Sequence, residues 1–222
     1  MSVWAEAIGV FASFLTNDSF EMTNALRTDG AYLAFAILTV VAGGLMAFLF
    51  KRMPLLDRHL ERTIIIYAYL IIAWIIFSGV IQRFVLSGQP PWSSTIPPLI
   101  FMVMVWFGCS FNVKLRTHLS FSEFRSNMPA RAQLVVLSMD AVLWLVFCVI
   151  CMTTTARIAA NSSANFQIVL GTDGFMQWWF IITVPIAFIV MAGRVIENLF
   201  EDYDNYRNGR PLIEQAVIGG DT

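Results

Sequence analysis

The sequence predicts an all-α membrane protein with five transmembrane helices and an amphipathic arm helix on the cytoplasmic side. Of the 222 residues, 58% are hydrophobic and only 13% are charged, whereas soluble domains carry about 25% charged residues. Five apolar segments are long enough to cross a hydrocarbon core of about 30 Å at about 1.5 Å per residue. The basic residues gather in alternate connections between these segments. Together these three observations indicate a bundle that crosses the bilayer five times.

The five predicted spans contain almost no charge. The exception is Asp140, which is the one acid well inside a span. The first span follows an N-terminal segment of thirty residues, and a tail of residues 200–222 follows the last span. The predicted spans are Ala31–Phe50, Thr63–Gln82, Thr95–Val113, Ala132–Ala156 and Gly174–Gly193.

Prolines affect the third and fifth spans. The uncharged stretch 84–113 contains proline pairs at 90–91 and 97–98. These pairs predict an extended turn before the third helix, because proline cannot continue a helix. Pro185 lies inside the fifth span, where we expect neighbouring helices to accommodate a kink.

The distribution of Lys and Arg orients the predicted bundle. Eleven of the fourteen follow the first, third or fifth span, and only Arg27, Arg83 and Arg157 belong to the other side. Cytoplasmic loops carry the excess of basic residues in membrane proteins. The alternation therefore predicts an N-terminus outside and a cytoplasmic C-terminus. The start of the chain has no basic region before an apolar core, so no cleavable signal is expected.

The N-terminal segment, residues 1–30, is predicted to lie on the outer membrane surface. Trp4, Ile8, Phe11 and Leu15 recur at spacings of four, three and four residues, which places them on one face of a helix. An apolar face of this kind is typical of helices that lie in the membrane interface.

The arm helix is predicted after the third span. Ser120 and Glu123 match a capping box, in which the first residue caps a helix and the fourth bonds back to it. Phe121, Phe124 and Met128 would then share one face. The alternative is an ordinary loop with a single helical turn.

Reactive groups do not form a recognisable catalytic or metal site in the sequence. His59 and His118 both lie in connections, so no span offers an axial ligand for haem. Cys148 and Cys151 have the spacing of a redox pair but lie in an apolar span, which favours packing. A net charge of −1 gives no indication of nucleic-acid binding. We therefore expect no enzyme activity, no cofactor and no metal.

Asp140 has two interpretations. An acid within a membrane span is costly and often marks an ion or proton pathway. The structural alternative is an aspartate that faces another helix or a partner subunit. The absence of a second acid or a base in the spans favours the structural alternative.

Several stretches, taken in order, resemble the small membrane subunit of TRAP (tripartite ATP-independent periplasmic) transporters, the DctQ-like family. The match covers residues 63–199, and the stretches read GVIQRFVLSGQPPW, GCSFNVKLRTHLSFSEF, NMP, AQLVVLSMDAVLWLVF and WWFIITVPIAFIVMAGRVIENL. The residues at the matching places are Arg83, Phe84, Pro91, Trp92, His118, Asp140 and Pro185. Two features depart from the family pattern: no glutamate follows Trp92, and an additional span, 31–50, precedes the four family helices.

The resemblance implies an accessory role in a bacterial inner-membrane complex. The family's small subunit braces the scaffold of a large elevator-type permease subunit. That subunit carries out sodium-coupled symport of an organic acid delivered by a periplasmic substrate-binding protein. The resemblance implies that Arg83 and Trp92 fix the outer end, that Phe121, Phe124 and Met128 lie at the inner interface, and that phospholipids contact the helices. Gly43-Gly44 is a candidate site of close helix approach in the additional span.

Two other functions remain open at this stage. A self-contained small transporter or channel would use Asp140 to couple an ion, but the spans contain few polar residues and no evident inverted repeat. A membrane enzyme or redox anchor subunit would bind haem, quinone or metal. Composition and topology alone lead only to a five-span inner-membrane protein.

Overall fold

The computed structural model describes residues 2–16, 18–117, 125 and 128–212 of the chain. Five segments of this part, with α7 and α8 counted as one, are long and apolar enough to cross a membrane. The predicted all-α fold with five transmembrane helices is therefore confirmed. The helices are Val3–Thr16 (α1), Ser19–Ala25 (α2), Gly30–Arg52 (α3), Pro54–Val85 (α4), Trp92–Leu115 (α5), Ala130–Ala164 (α6), Trp178–Ile181 (α7) and Thr183–Arg207 (α8).

The second and fourth spans are much longer than the apolar stretches predict. α4 has 32 residues and α6 has 35, so each is about 50 Å long and extends beyond a hydrocarbon core of about 30 Å. α4 begins at Pro54 because the missing N–H of proline is not needed at the first helical position. The last turn of α6 packs on α2, where the hydroxyl oxygens of Ser19 and Ser163 are 2.8 Å apart.

Prolines mark the starts of α5 and α8. α5 begins at Trp92 and contains Pro97 and Pro98 in its first two turns, so it starts somewhat earlier than predicted. The last span is divided at Ile182, and Pro185 lies in the first turn of α8. Proline has no N–H to continue the hydrogen bonding of the preceding helix. Pro185 therefore accompanies a helix break rather than a bend within a continuous helix.

Helix α8 is at the centre of the bundle, and the additional helix α3 packs against it. In the apolar stretch of each span, the buried share is 61% for the last span and 33% for α3, whereas it is 11–17% for the other three spans. A Cβ on Gly193 would lie 2.8 Å from the Cβ of Met46, and one on Gly43 would lie 3.0 Å from the Cβ of Ala192. Gly44 faces open space. Small residues allow helices in membranes to approach closely, so α3 is part of the core.

The N-terminal helices cover the end of the bundle where α3 begins. α1 buries Ala7 and Val10 in the cluster that contains the start of α3, and Glu6 accepts a hydrogen bond of 3.1 Å from the N–H of Gly30. The side chains of the predicted interfacial stripe are exposed on the other face of α1. These side chains are Trp4, Ile8, Phe11 and Leu15.

Arg157 of α6 attaches this N-terminal segment to the rest of the bundle. Its guanidinium donates hydrogen bonds to the carbonyl of Leu26, which ends α2, and to that of Thr28 at 3.4 Å. The same group lies 4.9 Å from the centre of the Tyr32 ring. A cation at the last carbonyls of a helix is a favourable arrangement, so the contact fixes the connection between α2 and α3.

Candidate functional site

One end of the bundle contains most of the basic side chains and is called here the basic end. The end of α3, the start of α4, the end of α5 and the C-terminal half of α8 form it. Arg194 of α8 lies at its centre with 0% of its surface exposed. An unpaired charge in such a position would be very unfavourable, so its partners decide whether the arrangement is stable.

The Arg194 guanidinium is paired with carboxylates on two helices. Its Nε and Nη2 donate to the two oxygens of Glu61 at 2.6 and 2.9 Å. Its Nη1 donates to the carboxylate of Asp57 and, at 2.9 Å, to that of Glu197. Glu61 is only 1% exposed. Two parallel bonds between arginine and a carboxylate give both strength and a defined geometry, so α4 and α8 are held in fixed register.

Two further residues connect this ion pair to α3 and α5. The Nζ of Lys114 donates to the carboxylate of Asp57 at 2.7 Å and to its backbone carbonyl at 2.5 Å. The Arg194 guanidinium lies 3.6 Å from the centre of the Phe50 ring, a cation–π contact. Phe50, Asp57, Glu61, Lys114 and Arg194 are called the Arg194 cluster. It joins four helices at one point.

The local sequence of α4 explains how its charges are sorted. Asp57 and Glu61 are four residues apart and therefore share a helix face, which is turned toward Arg194. Arg58 and Arg62 follow them by one position, and both are exposed. The acids of this turn thus face the bundle, and its arginines face outward.

A second set of charge contacts lies beside the Arg194 cluster. Arg116, which ends α5 in a left-handed conformation with φ of 54°, bonds Asp202 at 2.5 Å and Glu201 at 3.1 Å. The amide of Asn198 donates to the carbonyl of Val113 at 2.9 Å. The Asn198 bond satisfies a carbonyl that the end of α5 leaves free, and all three bonds attach α5 to α8.

Asp140 is paired with a basic residue of the connection between α5 and α6. Its carboxylate lies 2.5 Å from the Arg125 guanidinium, and both side chains are partly buried. The amide of Gln133 donates to the backbone carbonyls of Arg125 at 3.2 Å and Met128 at 3.0 Å. Gln133 and Asp140 are seven residues apart, so one face of α6 makes all these contacts.

The predicted outer anchor lies at the opposite end of the bundle. Arg83 is exposed in the last turn of α4, and its guanidinium is 5.8 Å from the centre of the Phe84 ring. Trp92 is half-buried at the start of α5. The loop before α7 packs against this residue closely: a Cβ on Gly171 would lie only 2.7 Å from the backbone nitrogen of Trp92. Thr95 also donates to the carbonyl of Leu170 at 2.8 Å.

Comparison with protein families adds a decisive observation. Residues 72–205 match the family described as "Tripartite ATP-independent periplasmic transporters, DctQ component". The chain belongs to this family. The resemblance found in the sequence is thereby confirmed, and this DctQ protein is a multi-pass TRAP small permease subunit. Helices α1 to α3 and the start of α4 precede the matched residues.

A curated relative supports the same assignment. The chain is 28% identical over 120 residues to the sialic acid TRAP transporter small permease protein SiaQ of Vibrio cholerae serotype O1. The aligned region is 53% of this chain and 66% of the relative, which is slightly less than two thirds of the relative's length.

The structure does not bring the predicted site residues of this DctQ protein together in one place. Arg83 and Trp92 lie at one end, Asp140 and Met128 lie near the connection between α5 and α6, and Pro185 is buried at the start of α8. Phe121 and Phe124 lie outside the described residues.

Sequence reasoning missed the Arg194 cluster, because its basic members were used only to orient the chain. Two signals could have indicated it. Asp57 and Glu61 form an acidic pair at helical spacing within an otherwise basic connection. Arg194 directly follows an apolar span and precedes Glu197 by three residues. Neither signal identifies which acid meets which base.

Proposed function

We propose that this DctQ protein braces the scaffold of a large elevator-type permease subunit. The Arg194 cluster is the observation that supports this role most directly. It joins α3, α4, α5 and α8 through a fully buried guanidinium. Moving α4 or α8 alone would separate the buried charges of Glu61 and Arg194, which is very unfavourable. A bundle held in this way has the rigidity that a brace needs.

Contacts farther along the bundle support the same role. α3 and α8 cross closely at Gly43 and Gly193, and Arg157 holds the connection between α2 and α3 at the far end. The chain is therefore cross-connected at the middle and at both ends. A moving domain of a partner could be restrained by such a support without any movement within it.

Exposed faces of α4 and α6 are the proposed contact surface for the large subunit. Trp74 and Phe77 of α4 and Leu143 of α6 are among their exposed apolar side chains. Phospholipids would cover the parts that the partner leaves free. The proposal keeps Arg83 and Trp92 as the outer fixing point. It also keeps Phe121, Phe124 and Met128 at the inner interface.

The remaining parts of the proposal concern location and cargo. The charge alternation supports a bacterial inner-membrane protein with a periplasmic N-terminus and a cytoplasmic C-terminus. We propose sodium-coupled uptake of an organic acid that a periplasmic substrate-binding protein delivers. The sialic acid in the relative's name belongs to this chemical class.

Purification of the tagged chain from native membranes in mild detergent tests the proposal. The expected result is co-purification of a larger multi-pass protein in stoichiometric amount, identified by mass spectrometry. Liposomes that contain both subunits should take up solute only when the binding protein is present. A chain that purifies alone and moves a solute by itself would instead support the self-contained transporter that uses Asp140.

A pair of variants tests the contact surface. Trp74→Ala on α4 should reduce the amount of partner recovered, whereas Phe48→Ala on α3 should not. The two side chains are similarly exposed, at 69% and 64%, so both variants remove a large exposed aromatic side chain and differ in the helix that carries it. Equal recovery with both variants would contradict the assignment of this face.

A further inference from the structure

The hairpin formed by α3 and α4 presents four basic side chains to its surroundings. Only Met53 separates the two helices. Lys51 and Arg52 end α3, Arg58 and Arg62 lie in the first turns of α4, and all four are exposed. Within the described part of the chain, none of these four side chains forms an ion pair. They are called the hairpin cations.

The acids of the same hairpin do not offset this charge at the surface. Residues 51–62 contain only two acids, Asp57 and Glu61. Glu61 is buried against Arg194, and Asp57 is held by Arg194 and Lys114. The two acids are therefore paired within the bundle, and the hairpin is left with four exposed positive charges.

Arg58 and Arg62 lie just outside the apolar part of α4, where the lipid headgroups of a membrane would be. Arg62 directly precedes Thr63, where the uncharged stretch begins. Arg58 is about 6 Å farther out, since four helical residues span that distance. Ile66 and Tyr69 continue the same side of α4 into the apolar stretch and are exposed. Two cations thus lie directly beyond an apolar surface.

We propose that the hairpin cations bind the headgroups of anionic phospholipids in the adjacent leaflet. The arginines would contact the negatively charged phosphodiester, while Ile66 and Tyr69 contact the acyl chains below it. Each basic residue near an anionic surface adds to the attraction. Lys51 and Arg52 belong to the additional helix α3, which precedes the residues that match the family. Lipid binding at these side chains would occur whichever large subunit the chain joins.

Spin-labelled lipids test this inference with the purified full-length chain in nanodiscs. The immobilised fraction of labelled phosphatidylglycerol is compared with that of labelled phosphatidylcholine. The wild-type chain should prefer phosphatidylglycerol. The variant Arg58→Gln/Arg62→Gln should lose about thirtyfold in relative affinity, on the order expected for two cations near an anionic surface. Both side chains are exposed and form no ion pair within the described residues, so the fold should be unaffected.

Three controls make the outcome specific. Arg207→Gln/Arg210→Gln removes two exposed cations, one at the last residue of α8 and one three residues beyond it, and should leave the preference unchanged. Arg58→Lys/Arg62→Lys keeps the charge and should keep the preference. Inorganic phosphate titrated into the wild-type chain in uncharged detergent should show no saturable binding.

Any of three results would overturn the inference. The first is an equal preference for both lipids in the wild-type chain. The second is an equal loss in the Arg207→Gln/Arg210→Gln control. The third is saturable binding of phosphate that disappears in Arg58→Gln/Arg62→Gln, which would identify a site for a free anion.

Discussion

Arg194 of α8 and Glu61 of α4 are 133 residues apart in the chain and form a buried ion pair with two parallel bonds, of 2.6 and 2.9 Å. Glu61 precedes the residues that match the DctQ family, and Arg194 lies within them. Phe50 of the additional helix lies against the same guanidinium. The pair therefore joins the N-terminal part of this chain to its family domain.

Removal of Arg194 should strongly destabilise the protein. Arg194→Met leaves Glu61 buried without its partner, which costs about 3–5 kcal/mol of folding free energy. The apparent Tm of the purified chain in detergent should fall accordingly. Arg207→Met, which changes an exposed arginine of the same helix, should leave the Tm unchanged.

The double variant Arg194→Met/Glu61→Met tests the cause. Replacing a whole buried ion pair with apolar residues is often neutral, so the double variant should recover much of the stability that the single variant loses. If Arg194→Met is as stable as the wild type, the proposed importance of this pair is wrong.

The crossing of α3 and α8 should not tolerate larger side chains. Gly193→Val places carbon atoms where Met46 and the α3 backbone already lie, and overpacking of this kind costs about 1–3 kcal/mol. Gly44→Val is the matched control, because nothing lies within 4 Å of a Cβ at that position. Thermal unfolding in detergent should separate the two variants. Equal Tm values would contradict the close approach of the two helices.

Loss of Arg157 should loosen the connection between α2 and α3. Arg157→Gln removes hydrogen bonds from a charged donor to the carbonyls of Leu26 and Thr28, and such bonds contribute about 1.5–3 kcal/mol each. Trypsin should then cleave after the neighbouring, exposed Arg27 faster than in the wild type. Arg83→Gln, an exposed arginine at the same end, serves as control. An unchanged cleavage rate in Arg157→Gln would exclude this attachment.

Asp140 is expected to position the connection before α6 rather than to carry an ion. Because its carboxylate pairs with Arg125, Asp140→Arg should lower the Tm and Arg125→Asp/Asp140→Arg should restore it. Asp140→Asn should retain solute uptake in the reconstituted complex. Loss of uptake in a stable Asp140→Asn protein, with no recovery in the charge swap, would place Asp140 in an ion pathway.

Deletion of residues 1–53 should prevent normal folding. It removes α3, which uncovers Gly193 and takes the Phe50 ring away from Arg194. The yield of monodisperse protein and of complex should fall sharply. Deletion of residues 1–16 removes only α1 and should be milder. Wild-type yield and uptake after the longer deletion would show that the additional span is not needed for assembly.

The amino-acid sequence alone was sufficient to predict the class of this protein, the number of its spans and its family. Those conclusions rest on local properties, since the length of an apolar stretch and the distribution of Lys and Arg are visible without folding the chain. The order of motifs around Arg83, Trp92 and Asp140 was enough to indicate the DctQ family, which the match over residues 72–205 confirms.

Contacts between residues of different helices became visible only in the folded chain. Arg194, Glu61 and Lys114 come from three different helices, and no local pattern shows that they share one site. From the sequence, Gly43 and Gly44 were equal candidates for close helix approach, but only Gly43 faces α8. In a uniformly apolar span the pattern of residues does not show which side of the helix faces its neighbour, because packing sets that orientation. The ion pair between Asp140 and Arg125 likewise depends on the folded chain, and the sequence did not predict this partner for Asp140.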